Sequence, residues 1–159
     1  IVYAMFGLVA LTTFMLFRSR WGLRTRSVGE NPKAADSLGI SVAKTRYLAV
    51  IYGGMVGGFA GAWFTLGTVG RFDEGMTGGA GFIGLAAMIF GGWNPIGALG
   101  AALIFGFSDS LSQKLALINT AIPTEFLAMT PYLVTIVVVA GLVGRARPPA
   151  ADGVPWEKK

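Results

Sequence analysis

Covalent chemistry needs a nucleophile, a base and a group that polarises a bond, and this chain supplies few of them. It has no histidine and no cysteine. That removes the commonest general base and metal ligand, all thiolate chemistry and any disulfide. No Gly-Lys pair occurs, so the G-x-x-x-x-G-K-[ST] loop that cradles nucleotide phosphates is excluded. No cluster of acids has metal-ligand spacing. Asp109 is the one acid inside an apolar helical stretch, and an ionisable group at membrane depth is a functional candidate by default. Ser108, Ser110, Ser112 and Lys114 stand close enough in sequence to satisfy it. Phe82, with Phe72, Phe90, Trp63 and Trp93, is suited either to lining a path for a ring-bearing solute or to packing and interface anchoring. No chain of buried carboxylates links ion movement to a conformational change, which argues against secondary transport. Intramembrane enzymology is not expected of these residues.

The elements that position these residues are membrane helices. Of 159 residues, 53% are hydrophobic and 13% charged, with the apolar ones in long runs. The expected fold is an all-α polytopic transmembrane bundle. Apolar runs predict spans over 1–17, 47–69, 95–112 and 128–144, and a short helix over 82–91 that either re-enters or is completed by its flanking glycines. Asn94 and Pro95 are a cap and a first helical residue for the span over 95–112. Gly53, Gly57 and Gly61 recur on one helix face, a pattern that lets a neighbouring backbone approach closely. Trp21 stands where an interfacial anchor would. Ile1 already lies inside an apolar run with no Met and no basic segment before it, so the chain reads as the C-terminal piece of a longer protein.

Charge sets orientation. The loop 18–46 carries Arg18, Arg20, Arg24, Arg26, Lys33, Lys44 and Arg46, and the tail 145–159 carries Arg145, Arg147, Lys158 and Lys159. Arg71 and Lys114 are the remaining basic residues. The positive-inside rule then puts loop 18–46 and the tail in the cytoplasm of a multi-pass protein of the cell membrane. Parity requires the segments 82–91 and 95–112 to descend and return around a turn on the cytoplasmic side. The net charge of +5 marks topology, not a nucleic-acid site. Partners in the membrane are lipid and other helices. The tail is proline-rich and expected to be extended.

Loop 18–46 carries its own helix signals. Asn31 is an N-cap, Pro32 fills the first helical position, and Gly39 is the stop. The resulting helix over 31–39 is too short to persist alone in water. It either packs on its own bundle or docks on a soluble partner. For docking, Ala34 and Ala35 offer a small-residue face able to enter a groove, and Glu30, Lys33 and Asp36 offer charges that set register. A helix held between two spans passes a push from the cytosol to both.

These residues resemble a family. GENPKAADSLGI at 29–40 is similar to the cytoplasmic loop of permease subunits of ATP-binding-cassette importers, in the group taking up ribose-type sugars, branched-chain amino acids and nucleosides. RYLAVIYGG at 46–54 leads into GGFAG at 57–61, like the glycine-rich helix after that loop. GAGFIGLAA at 79–87 and FGGWNPIGA at 90–98 resemble the paired motif before the next helix, and GLVGRARPPAADGVP at 141–155 resembles the nucleoside or simple-sugar branch. The resemblance implies an ATPase pair, a second permease subunit and an extracytoplasmic substrate-binding protein. No cofactor belongs to this chain, with ATP and magnesium on the partner ATPase. Gly29, Glu30, Asn31, Pro32, Lys33, Ala34, Ala35, Asp36, Leu38 and Gly39 would form the coupling element, and alternating access would follow from ATPase closure. The alternatives are a fragment of a secondary carrier or channel in which the loop helix only packs, and a membrane scaffold without transport.

Overall fold

The computed structural model describes residues 2–117 and 147–157, together with positions 129, 133, 136 and 137. The expected span over 128–144 falls almost wholly outside the described residues. Among the described residues six α-helices follow in order: α1 (Val2–Arg18), α2 (Arg20–Glu30), α3 (Pro32–Ser37), α4 (Val42–Trp63), α5 (Ala80–Phe90) and α6 (Pro95–Leu117). Among the described residues there is no strand. The fold is all-helical, with α4 and α6 long and apolar enough to cross a membrane. The chain divides into two compact units, Ile1–Gly78 with Pro148–Lys159, and Gly79–Arg147.

In the first unit, α1 ends at Arg18 and the chain turns sharply. The axes of α1 and α2 differ by 73°. Ser19 makes the corner: its hydroxyl donates to Met15 O at 2.5 Å and accepts from Gly22 N–H at 3.0 Å. Gly22 is required there, because a Cβ would overlap the carbonyls of Met15 and Leu16. Helix α2 corrects the expectation of an open loop between Arg18 and Asn31. Three arginines make that stretch polar, but a backbone helix needs only a cap and the absence of breakers, not apolar side chains. Tyr52 ties α1 to α4: its hydroxyl lies 2.7 Å from the Thr12 hydroxyl, and its ring meets that of Trp21 edge-on with centroids 6.0 Å apart. The Arg26 guanidinium lies 4.9 Å above the Phe17 ring.

Helix α4 begins at Val42, earlier than the expected 47, so Lys44 and Arg46 lie in its first turns and not before it. It continues as a π-helical stretch, Phe64–Val69, closed by Gly70 in a left-handed conformation (φ 71°). Gly67 lies beneath the Trp63 ring, where a Cβ would overlap it. Apart from their own stretch of helix, no described atom lies within 4 Å of where a Cβ on Gly53, Gly57 or Gly61 would sit.

The second unit contains the α5–α6 hairpin. Helix α5 has 11 residues, a rise of about 16 Å, roughly half the hydrocarbon core of a bilayer. The glycines flanking it do not lengthen it. Gly78 and Gly79 have positive φ (51° and 84°) before it, and Gly92 (φ 65°) follows it. Its end is a Schellman turn: Gly92 N–H donates to Ile89 O at 3.0 Å and Trp93 N–H to Met88 O at 3.1 Å. Trp93 itself is left-handed (φ 59°), the one such non-glycine among the described residues. Asn94 then caps α6, its side chain accepting from Ile96 N–H at 3.0 Å. Helix α6 extends past the expected end at Ser112 to Leu117, since Gln113 and Lys114 are good helix formers whatever their polarity. The Phe90 and Phe105 rings meet with centroids 5.7 Å apart.

Candidate functional site

Helix α3 has six residues, and nothing in its length would keep it folded. Each end is locked by a separate device. At the start, Asn31 has extended backbone (φ −146°, ψ 90°) and serves two helices. Its N–H donates to Ser27 O at 2.9 Å, closing α2, while its side-chain carbonyl accepts from Ala34 N–H at 3.1 Å, opening α3. Pro32 occupies the first helical position, where a missing N–H costs nothing. At the end, Gly39 is left-handed (φ 79°). Its N–H donates to Asp36 O at 2.9 Å, and Ile40 N–H donates to Ala35 O at 3.1 Å. That is a complete Schellman motif, and Ile40 supplies the apolar contact that usually accompanies it.

The inner side of the corner is a small apolar cluster. Val28 of α2, Ala35 of α3 and Val42 of α4 are 3%, 2% and 1% exposed, and Ile40 and Trp156 pack against them. This revises the expected docking face. Ala34 is exposed and Ala35 is buried, because adjacent helical residues point about 100° apart. Ala35 therefore holds α3 to its own chain. The outer side carries Glu30, Asn31, Lys33, Ala34, Leu38 and Gly39, all exposed, with Pro32 and Asp36 partly so and Gly29 partly covered. Leu38, 80% exposed, is a large apolar side chain left in the open at the tip of a polar corner.

The tail completes the site. Sequence reasoning expects it to be extended. It instead makes a turn over 150–153 with Gly153 at φ 70°. Ala151 N–H donates to Gly29 O at 2.9 Å, and the Arg46 guanidinium donates to Val154 O at 2.9 Å. A cleft of about 520 Å³ separates the tail from α2 and α4, lined by Thr25, Thr45, Arg46 and Ala49 on one wall and by Pro149 and Val154 on the other. Since 148–157 packs on the α2–α3–α4 corner, the two lie on the same side of any membrane that α4 crosses.

The other candidate residues, Phe82 and Asp109, belong to the second unit. Phe82 stands in the first turns of α5 and is 80% exposed. Asp109 is exposed on α6 and accepts from Gln113 Nε2 at 2.8 Å. Residues that sequence reasoning missed are Gly22, Val28, Val42 and Trp156. Ser19 followed by Gly22 was a legible signal for the α1–α2 corner. A single tryptophan in a polar tail was a weaker one.

In this arrangement α1 leads through a sharp corner to α2, and then through α3, held at both ends, into α4. The family described as "Branched-chain amino acid transport system / permease component" matches residues 1–146. The guanosine ABC transporter permease protein NupQ of Bacillus subtilis (strain 168) is 46% identical over 154 residues, covering 96% of this chain and 48% of NupQ. The nucleoside ABC transporter permease protein NupC of Lactococcus lactis subsp. cremoris (strain MG1363) is 48% identical over 150 residues, covering 93% of this chain and 47% of NupC. The chain thus spans about half the length of these relatives. No solved structure matches it. With apolar helices of spanning length and a family match over nearly its whole length, the chain belongs to the permease-component family of branched-chain amino acid transport systems.

Proposed function

We propose that the chain forms part of the membrane permease of an ATP-driven nucleoside importer, with α3 as the helix that seats on a partner ATPase. The observation that carries this reading is the outer face of α3. A six-residue helix locked at both ends presents Lys33, Ala34 and an 80% exposed Leu38, while Ala35 on its inner face packs on Val28 of α2 and Val42 of α4. Such an element is stiff enough to transmit a push and open enough to receive one. ATP and magnesium would lie on the ATPase, and this chain would contribute no cofactor ligand. The remaining partners are a second permease subunit and an extracytoplasmic binding protein. The corner and the tail face the cytoplasm, in line with their shared basic residues. The nucleoside assignment rests on the two relatives named for guanosine and nucleoside transport.

The test is uptake of labelled guanosine by the full-length permease reconstituted with its ATPase and binding protein. Uptake should require ATP and survive collapse of the ion gradients. If it instead continues without ATP and stops when the gradient collapses, the chain is part of a secondary carrier. Ala34→Arg should leave the protein folded and lower solute moved per ATP by about tenfold or more, the loss expected when one central contact of a docking helix is removed. A folded Ala34→Arg protein with unchanged coupling would remove α3 from the ATPase interface.

A further inference from the structure

We infer that the C-terminal segment 148–157 is a brace for the α2–α3–α4 corner, and that Trp156 is a positioning residue for coupling. The inference rests on the proposed role of α3 and adds a device to it. Three observations converge. Trp156 packs on the cluster formed by Val28, Ala35 and Val42, which draws one residue from each of the three helices. The last carbonyls of α2 have no partner within the helix, and Ala151 N–H supplies one to Gly29 O at 2.9 Å. From the other side, Arg46 in the first turns of α4 reaches over to Val154 O at 2.9 Å. The tail therefore bonds to α2 and α4, and through Trp156 it also covers the buried side of α3.

A brace of this kind acts on stiffness, not on docking. The outer face of α3 is untouched by the tail, so a partner still has access to it. What changes without Trp156 is how much of a push on α3 reaches α1 and α4 and how much is lost as local opening. The cleft between tail and helices lies beside these contacts, and Trp156 is the tail residue packed on the apolar cluster.

The experiment uses the full-length permease in lipid nanodiscs, with and without its ATPase. Trypsin cleavage after the exposed Lys33 reports opening of the corner, because cleavage tracks the open population when reclosing is fast. Trp156→Ala should speed that cleavage by about tenfold, the scale of losing one large apolar contact, and Trp156→Phe should restore most of the protection. In the complete transporter, Trp156→Ala should lower solute moved per ATP while leaving ATPase association intact, and Trp156→Phe should again rescue. Unchanged cleavage in Trp156→Ala overturns the brace. Faster cleavage with unchanged coupling overturns the positioning role and leaves only a structural contact. If the wild-type chain binds no ATPase, the importer reading fails, while the cleavage comparison still decides whether the tail braces the corner.

Discussion

Two corners of this protein are written with the same pair of residues. Asn31-Pro32 opens α3 and Asn94-Pro95 opens α6, and in both the asparagine side chain accepts from a backbone N–H of the new helix, at 3.1 and 3.0 Å. Each region also contains a Schellman turn on a left-handed glycine, Gly39 after α3 and Gly92 after α5. What differs is how the corner is held. Around Asn31, side chains do it: Val28, Ala35 and Val42 meet beneath the corner and Trp156 closes it from the tail. Around Asn94, backbone meets backbone, since Gly91 touches the start of α6 at Gly97 and Ala98 with no room for a Cβ. A side-chain corner leaves an outer face free for a partner. A glycine corner folds two helices tightly into a hairpin.

The largest effect should come from filling the glycine corner. Gly91→Leu or Gly97→Leu places atoms inside backbone, and either should cost about 3 kcal/mol or more and abolish the yield of folded protein in detergent. Next comes Ala35→Arg, which buries a charge in the apolar cluster. It should destabilise the first unit by about 2 to 3 kcal/mol, seen as a lowered unfolding midpoint, whereas Ala34→Arg should leave that midpoint unchanged. Equal loss in the two variants would mean that α3 has no inner and outer side. Gly39→Ala and Gly92→Ala should each cost about 1 to 2 kcal/mol, because an alanine is strained at φ 79° or 65°. The first should also weaken ATP coupling, and the second should be read in stability alone. Asn31→Ala and Asn94→Ala should cost about 1 kcal/mol each from the lost cap. Smallest is Gly29→Ala, whose Cβ would sit 3.5 Å from that of Pro149, an ordinary contact. It should change stability by less than about 0.5 kcal/mol, and a larger drop would show that the tail packs more tightly on α2 than its geometry indicates.

The local devices were legible because they are written in neighbouring residues. Asn31, Pro32 and Gly39 fall within one short stretch, and so do Gly92, Asn94 and Pro95. Helix α2 was less legible because its arginines dominate any reading by hydropathy, although Ser19 was a usable cap signal. The direction of Ala35 was not legible at all. Its neighbour Ala34 has the same chemistry, and which of the two faces inward depends on where Val42 and Trp156 arrive. The tail was misread for a related reason: prolines and polar residues predict extension in isolation, and the turn over 150–153 is bonded to Gly29 at the other end of the chain.

Sequence alone determined that this is a membrane protein of several apolar helices, without histidine or cysteine chemistry, carrying a short capped helix between two spans. Those properties are set by hydropathy and by hydrogen bonds a few residues long. Only the tertiary structure decided which side of α3 is open and that the tail returns to cover the corner. Each of those depends on groups far apart in sequence being brought within van der Waals or hydrogen-bonding distance. Contacts of that range leave no pattern in the local order of residues.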